Sequence, residues 1–268
     1  MRKGSIHYFI ISIVGMYLFL PLAATFLYSI SNTWANTILP SDYTLTWYQQ
    51  LFSDQRFIEA MGRTLWICIL ALAVSMITMV MTVFVITVYL PKLERFIQAL
   101  VMLPYAIPGV VAAVGLIKMY SSKPIVLTGS VWIIIGAYYV LILPYMYQGI
   151  RNSLRTINVN RLIEAAEILG ASKLKAFIFV VLPNIIPGIL VSSLLSFSIL
   201  FGEFVLANIL VGGHFETIQI YLMQRLKENG HLSSAIVITY FVIVLISSLV
   251  MLKLGTRLQS KVRKEKVS

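Results

Sequence analysis

From Thr64 to Leu90 the chain runs 27 residues without a charged side chain, and five further stretches of comparable length are almost as apolar. A helix needs about 20 apolar residues to cross the hydrocarbon core of a bilayer. The candidate spans are about 8–30, 64–90, 97–119, 125–150, 184–210 and 234–254. Only 12% of the residues are charged and the mean hydropathy is +0.89, whereas a soluble domain carries about 25% charged residues. Too few charges remain to cover a water-facing surface. The expected fold is all-α and polytopic, with six transmembrane helices in a single transmembrane domain across residues 1–268. Arg2 and Lys3 give the first run a signal-like flank, but the run exceeds a signal sequence's apolar core and shows no small-residue cleavage site, so it is expected to stay as a span.

The 21 Lys and Arg residues against 10 Asp and Glu give a net charge of +11. In a soluble protein such an excess points to nucleic acid; here it reads as orientation. With the N-terminus in the cytoplasm, the inner segments hold fifteen basic residues, from Arg2, Lys3, Lys92 and Arg95 through the 151–183 loop to the C-terminal run. The outer segments hold six: Arg56, Arg63, Lys118, Lys123, Arg225 and Lys227. Positive residues gather on the cytoplasmic side, so both termini are expected inside and no nucleic-acid partner is needed. Lys261, Arg263, Lys264 and Lys266 read as an anchor to anionic lipid. The single cysteine, Cys68, forms no intrachain disulfide, and His7, His214 and His231 are too scattered for a metal site.

The outer segment 31–63 is rich in Trp and Tyr, as residues at a bilayer interface are. The inner segment 151–183 carries more information. Asn160 is a candidate N-cap for a short helix with Leu162, Ile163, Ala165, Ala166 and Leu169 along it. Gly170 ends that helix, Ser172 caps a second one bearing Lys173 and Lys175, and Pro183 marks the boundary before the fifth span. The expected result is a cytoplasmic elbow over 160–175 whose small-residue face admits a protein partner closely.

Glu164-Ala165-Ala166, three residues, Gly170, nine residues, Val180, one residue and Leu182-Pro183 resembles the EAA loop of the ABC importer permeases, which carry Ile in place of Val180. The runs 102–116 and 201–222 look like the same family, in particular the branch that imports spermidine and putrescine, 2-aminoethylphosphonate or ferric iron. The resemblance implies a type I importer permease fold in a bacterial cytoplasmic membrane, two ATPase subunits, a second permease subunit, identical or homologous, and an extracytoplasmic solute-binding protein. It also implies that Glu164, Ala165, Ala166 and Gly170 belong to the contact that couples the permease to its ATPase. No GxxxxGK[ST] occurs in the chain, so ATP and Mg are expected on a separate subunit, with no cofactor in this one.

Glu203 is the one acidic residue inside an apolar span. Burying a carboxylate there costs about 3 kcal/mol on insertion scales, so it is expected to face either a translocation path or a partner group. Tyr139 and Tyr147 stand eight apart on one helical face, suited either to holding an ammonium group or to packing. An ammonium-bearing solute, either 2-aminoethylphosphonate or a polyamine, fits these residues; ferric iron is the alternative within the family. Two other classes stay open at this point. A secondary transporter predicts inverted repeats with matching broken helices, which are not apparent, and an intramembrane enzyme predicts paired catalytic groups within spans.

Overall fold

The computed structural model describes residues 3–34 and 37–265; Arg2 and Lys266 of the basic flanks lie outside the described residues. The chain divides into two compact units, one of residues 1–61 with 221–243 and the other of 62–220 with 244–268. Its helices are α1 (Lys3–Ser29), α2 (Thr46–Ser53), α3 (Gln55–Val88), α4 (Glu94–Ala106), α5 (Gly109–Tyr120), α6 (Val131–Arg155), α7 (Val159–Ile168), α8 (Lys173–Ala176), α9 (Leu182–Phe201), α10 (Val205–Leu210), α11 (Ile218–Arg225) and α12 (Gly230–Glu265). Five of these stretches are long and apolar enough to cross a membrane, and the bent pair α4–α5 makes a sixth if counted as one span.

In the first unit, aromatic and polar side chains gather where α1 ends and α12 begins. The His231 ring lies between those of Tyr28, at 3.9 Å, and Trp47, at 5.5 Å, with interplanar angles of 18° and 8°. Its Nδ1 is 2.9 Å from the Tyr28 carbonyl, and Trp47 Nε1–H donates to the Ser31 carbonyl at 2.8 Å. Asp54 stands at the head of α3. One carboxylate oxygen accepts the Arg56 amide at 2.9 Å, and the other accepts the Tyr221 hydroxyl and the Arg225 guanidinium, each at 2.7 Å.

The second unit is built on α6 against α9. A Cβ added at Gly188 would stand 1.5 Å from Ser153 Oγ, and one at Gly149 would stand 2.3 Å from Ser192 Cβ. Gly149 and Ser153 are four apart on α6, as are Gly188 and Ser192 on α9. Small residues at that spacing let two membrane helices approach backbone to backbone, where dispersion contacts rather than a hydrophobic driving force hold them. On the other side of α6, α4 is fixed by the Glu94 carboxylate, which receives Arg151 at 2.6 Å.

The third span, expected over 97–119, is broken into two helices, and α4 and α5 meet at 100°. Pro108 has no N–H to give, and it forces Ile107 into extended backbone, φ −105° and ψ 117°, which ends α4. Three expectations need correction. The fourth span begins at Val131 rather than 125, after a turn at Gly129 (φ +76°), and runs on to Arg155. The fifth does not start at 184. An unbroken helical stretch from Lys173 to Phe201 passes straight through Pro183. A π-turn at Phe177–Val181 makes this possible: the Leu182 amide reaches back five residues to the Phe177 carbonyl, and the Asn184 side chain covers the Val180 carbonyl. Finally, the N-cap of α7 is Asn158, whose side chain accepts the Arg161 amide at 3.3 Å, and not Asn160. Starting two residues earlier lets Val159 be buried together with Ile163 and Ala166 on one face.

Candidate functional site

The elbow is assembled from local chemistry. α7 closes with the two hydrogen bonds of a Schellman cap, from the Gly170 amide to the Glu167 carbonyl at 2.9 Å and from the Ala171 amide to the Ala166 carbonyl at 3.0 Å. That geometry places Gly170 at φ +82°, a region L side chains rarely adopt. The Ser172 hydroxyl then accepts the Lys175 amide and starts α8, as its position in the sequence predicts. The inner face of α7 (Val159, Ile163, Ala166) is buried, and α7 packs on α8 and the π-turn.

The outer face presents Glu164, Ala165 and Gly170 to solvent, while Ala166 of the expected coupling set lies on the buried face. Beside them Ile168 and Leu169 are 85% and 88% exposed. Two branched apolar side chains held in the open by a rigid cap make a surface ready for a protein partner. The sequence sets Leu169 among the small and apolar groups along this helix and gives Ile168 no part. The signal was present in the spacing: Val159, Ile163 and Ala166 define the buried face, and neither 168 nor 169 continues it.

Glu203 sits in a break between helices rather than inside one. α9 stops at Phe201, and the Glu203 carboxylate caps α10, with one oxygen accepting the Leu206 amide at 2.8 Å and the other the Ala207 amide at 3.1 Å. The Tyr138 hydroxyl is 3.4 Å from the Glu203 backbone carbonyl. α10 in turn packs against α5 and α6.

An apolar cavity of about 800 Å³ opens among α4, α5, α6 and α10, with Leu103, Ile107, Trp132, Tyr139 and Leu206 in its wall. The Tyr139 hydroxyl lies 3.2 Å from Thr78 Oγ1. Tyr147, expected to share that wall, is 1% exposed and does not line the cavity. Eight residues along an α-helix turn through two full turns plus about 80°, enough to carry one ring to the cavity and the other into packing. Among the described residues, no group of three or more His, Cys, Asp or Glu is placed to hold a metal ion.

The chain is similar to several known transport proteins. It is 27% identical over 239 residues, 89% of this chain and 88% of the relative, to the putative 2-aminoethylphosphonate transport system permease protein PhnV of Salmonella typhimurium. It is 24% identical over 213 residues, 78% of this chain and 82% of the relative, to the spermidine/putrescine transport system permease protein PotC of Haemophilus influenzae. In fold it is similar to a chain of a bacterial ABC transporter involved in the import of the acidic polysaccharide alginate, with a TM-score of 0.74, 17% identity and 96% of each chain covered. A chain of the MetNI methionine ABC transporter gives a TM-score of 0.60 over 76% of this chain and 99% of the other. The profile of the family described as "Binding-protein-dependent transport system inner membrane component" matches residues 84–264. The chain belongs to that family, and it is a membrane-spanning permease subunit of an ABC importer, a transport component rather than an enzyme.

Proposed function

We propose that this permease passes a small ammonium-bearing solute, 2-aminoethylphosphonate or a polyamine, across the bacterial cytoplasmic membrane. In this reading it works as one transmembrane half beside a second permease subunit, identical or homologous, over two ATPase subunits that bind the ATP and Mg. A solute-binding protein delivers the solute from outside, and both termini are cytoplasmic. The elbow carries the reading. Glu164, Ala165, Ile168 and Leu169 are exposed around a helix end fixed by Gly170, which is the surface a separate ATPase needs to grip. Ala166 supports it from below. The substrate class is supported by the two named relatives, PhnV and PotC.

The path residues take different parts. Tyr139 stands at the wall of the apolar cavity, where an aromatic face is available to an ammonium group. Glu203 acts through α10, which it caps, and Tyr147 acts as packing. The test is ATP hydrolysis by the reconstituted complex with its binding protein, supplied in turn with 2-aminoethylphosphonate, spermidine, putrescine and ferric iron. Stimulation by an ammonium compound is the expected outcome. Stimulation by iron alone would retain the importer and overturn the substrate class.

A further inference from the structure

We propose that the Phe84–Phe177 ring pair, seated where the elbow joins α9, is the contact that carries displacement of the elbow into α3. The inference rests on the coupling role of the elbow and names the residues that pass its motion on.

The inner face of α7 is buried, and α7 packs on α8 and the π-turn, where Ala176 and Phe177 are buried. A push on Ile168 or Leu169 therefore reaches Phe177 through the buried face of α7, which lies against the π-turn, and close-packed interiors transmit displacement instead of absorbing it. Phe177 is the first residue of the π-turn, and its ring centroid is 4.1 Å from that of Phe84 near the end of α3. Phe84 in turn meets the Tyr89 ring edge-on at 5.7 Å, and Lys173 Nζ of α8 lies 5.7 Å from the centroid of Tyr89. The α8–π segment thus grips the end of α3 at two points, one apolar and buried, the other cationic.

The backbone at this place is suited to the task. The turn closes with the bond from the Leu182 amide to the Phe177 carbonyl, one residue wider than an α-turn. Such wide turns mark sites where a helix changes direction or register, and they recur at functional positions. Phe177 is thus a positioning residue at a pivot. On one side the elbow moves it, and on the other side its ring moves α3 while its own chain continues as α9.

The test uses the whole complex in proteoliposomes with its binding protein, reading substrate molecules imported per ATP hydrolysed. Phe84→Ala and Phe177→Ala are each expected to lower that ratio by roughly 2- to 30-fold, the range found for substitutions within a coupling network. Hydrolysis without substrate and association with the ATPase should be retained. The double variant should be no worse than the worse single one, and Phe177→Leu, which keeps apolar volume, should recover most of the loss. A second measurement reads the same contact as a gain. In a Cys68→Ala background, the protein carrying both Phe84→Cys and Phe177→Cys lacks the two rings and should show the lowered ratio, and joining the two thiols with a short bifunctional maleimide should restore part of it, because the link again carries the displacement. No recovery on cross-linking, or an unchanged ratio in both alanine variants while Gly170→Pro still uncouples, would overturn the ring pair and leave the elbow standing. An unchanged ratio in Gly170→Pro as well would overturn the elbow's role itself.

Discussion

Both oxygens of the Glu203 carboxylate are taken by backbone amides of α10, so removing the carboxylate strips a helix of its cap. A lost cap costs about 1 kcal/mol. Glu203→Ala should lower the thermal stability of the purified complex, and Glu203→Gln, which keeps one acceptor, should lower it less. A Glu203→Gln protein with unchanged stability but abolished transport would instead place the carboxylate on the solute. Asp54 gives a prediction with pH. Burial raises its pKa, but hydrogen bonds from the Tyr221 hydroxyl, the Arg56 amide and the Arg225 guanidinium outweigh that and hold the carboxyl below the ordinary 3.8. Tyr221 is pushed up to about 12, by burial and by its hydrogen bond to Asp54. A depressed carboxylate contributes stability that is present above its unfolded pKa and lost as pH falls through the lowered folded value. Melting curves from about pH 6 down to about pH 3 should therefore fall more steeply for the natural protein than for Asp54→Asn. Parallel curves would count against the carboxylate's role in holding α11 to the head of α3.

Among the elements, the α6–α9 contact and the elbow make separate predictions. A side chain at Gly188 would collide with Ser153, and overpacking of this kind costs about 1–3 kcal/mol. Gly188→Val should thus lower the temperature at which the solubilised protein aggregates, and a variant as stable as the natural chain would refute the close approach of the two helices. Ile168→Asp and Leu169→Asp place charges on the exposed tip of the elbow. They should abolish copurification of the ATPase with the permease while leaving membrane insertion intact. Retained copurification would move the contact elsewhere. The elements were legible to different degrees. Gly170 and Ser172 announced the elbow because their chemistry is local: one needs a positive φ, the other offers an oxygen to a nearby amide. Which proline breaks its helix was not legible. Pro104, Pro144 and Pro187 all lie inside continuous helices, and Pro108 alone stands at a 100° bend. The same residue type gives both outcomes because what decides is whether neighbouring groups take up the freed carbonyls, and at Pro183 the π-turn and Asn184 help to do so.

At the scale of the whole molecule, the apolar runs and the unequal charge of the loops predict the class of protein and its orientation, because the bilayer imposes both on the sequence as a whole. In a Cys68→Ala background, Ser41→Cys should react with an impermeant maleimide added to intact cells, and Asn160→Cys should react only after the membrane is opened. The opposite pattern would invert the topology. The burial of Tyr147 escaped the sequence, since it depends on which face of its helix the rest of the fold covers. The unbroken run from the elbow through α9 has one further consequence. The 20 residues of α9 make a rod about 30 Å long. Turned by about 10° at its base, such a rod sweeps its far end through about 5 Å, where Glu203 holds the first turn of α10. The helix is in effect a lever with its short arm at the elbow, so a small stroke there would be magnified at the opposite end of the span.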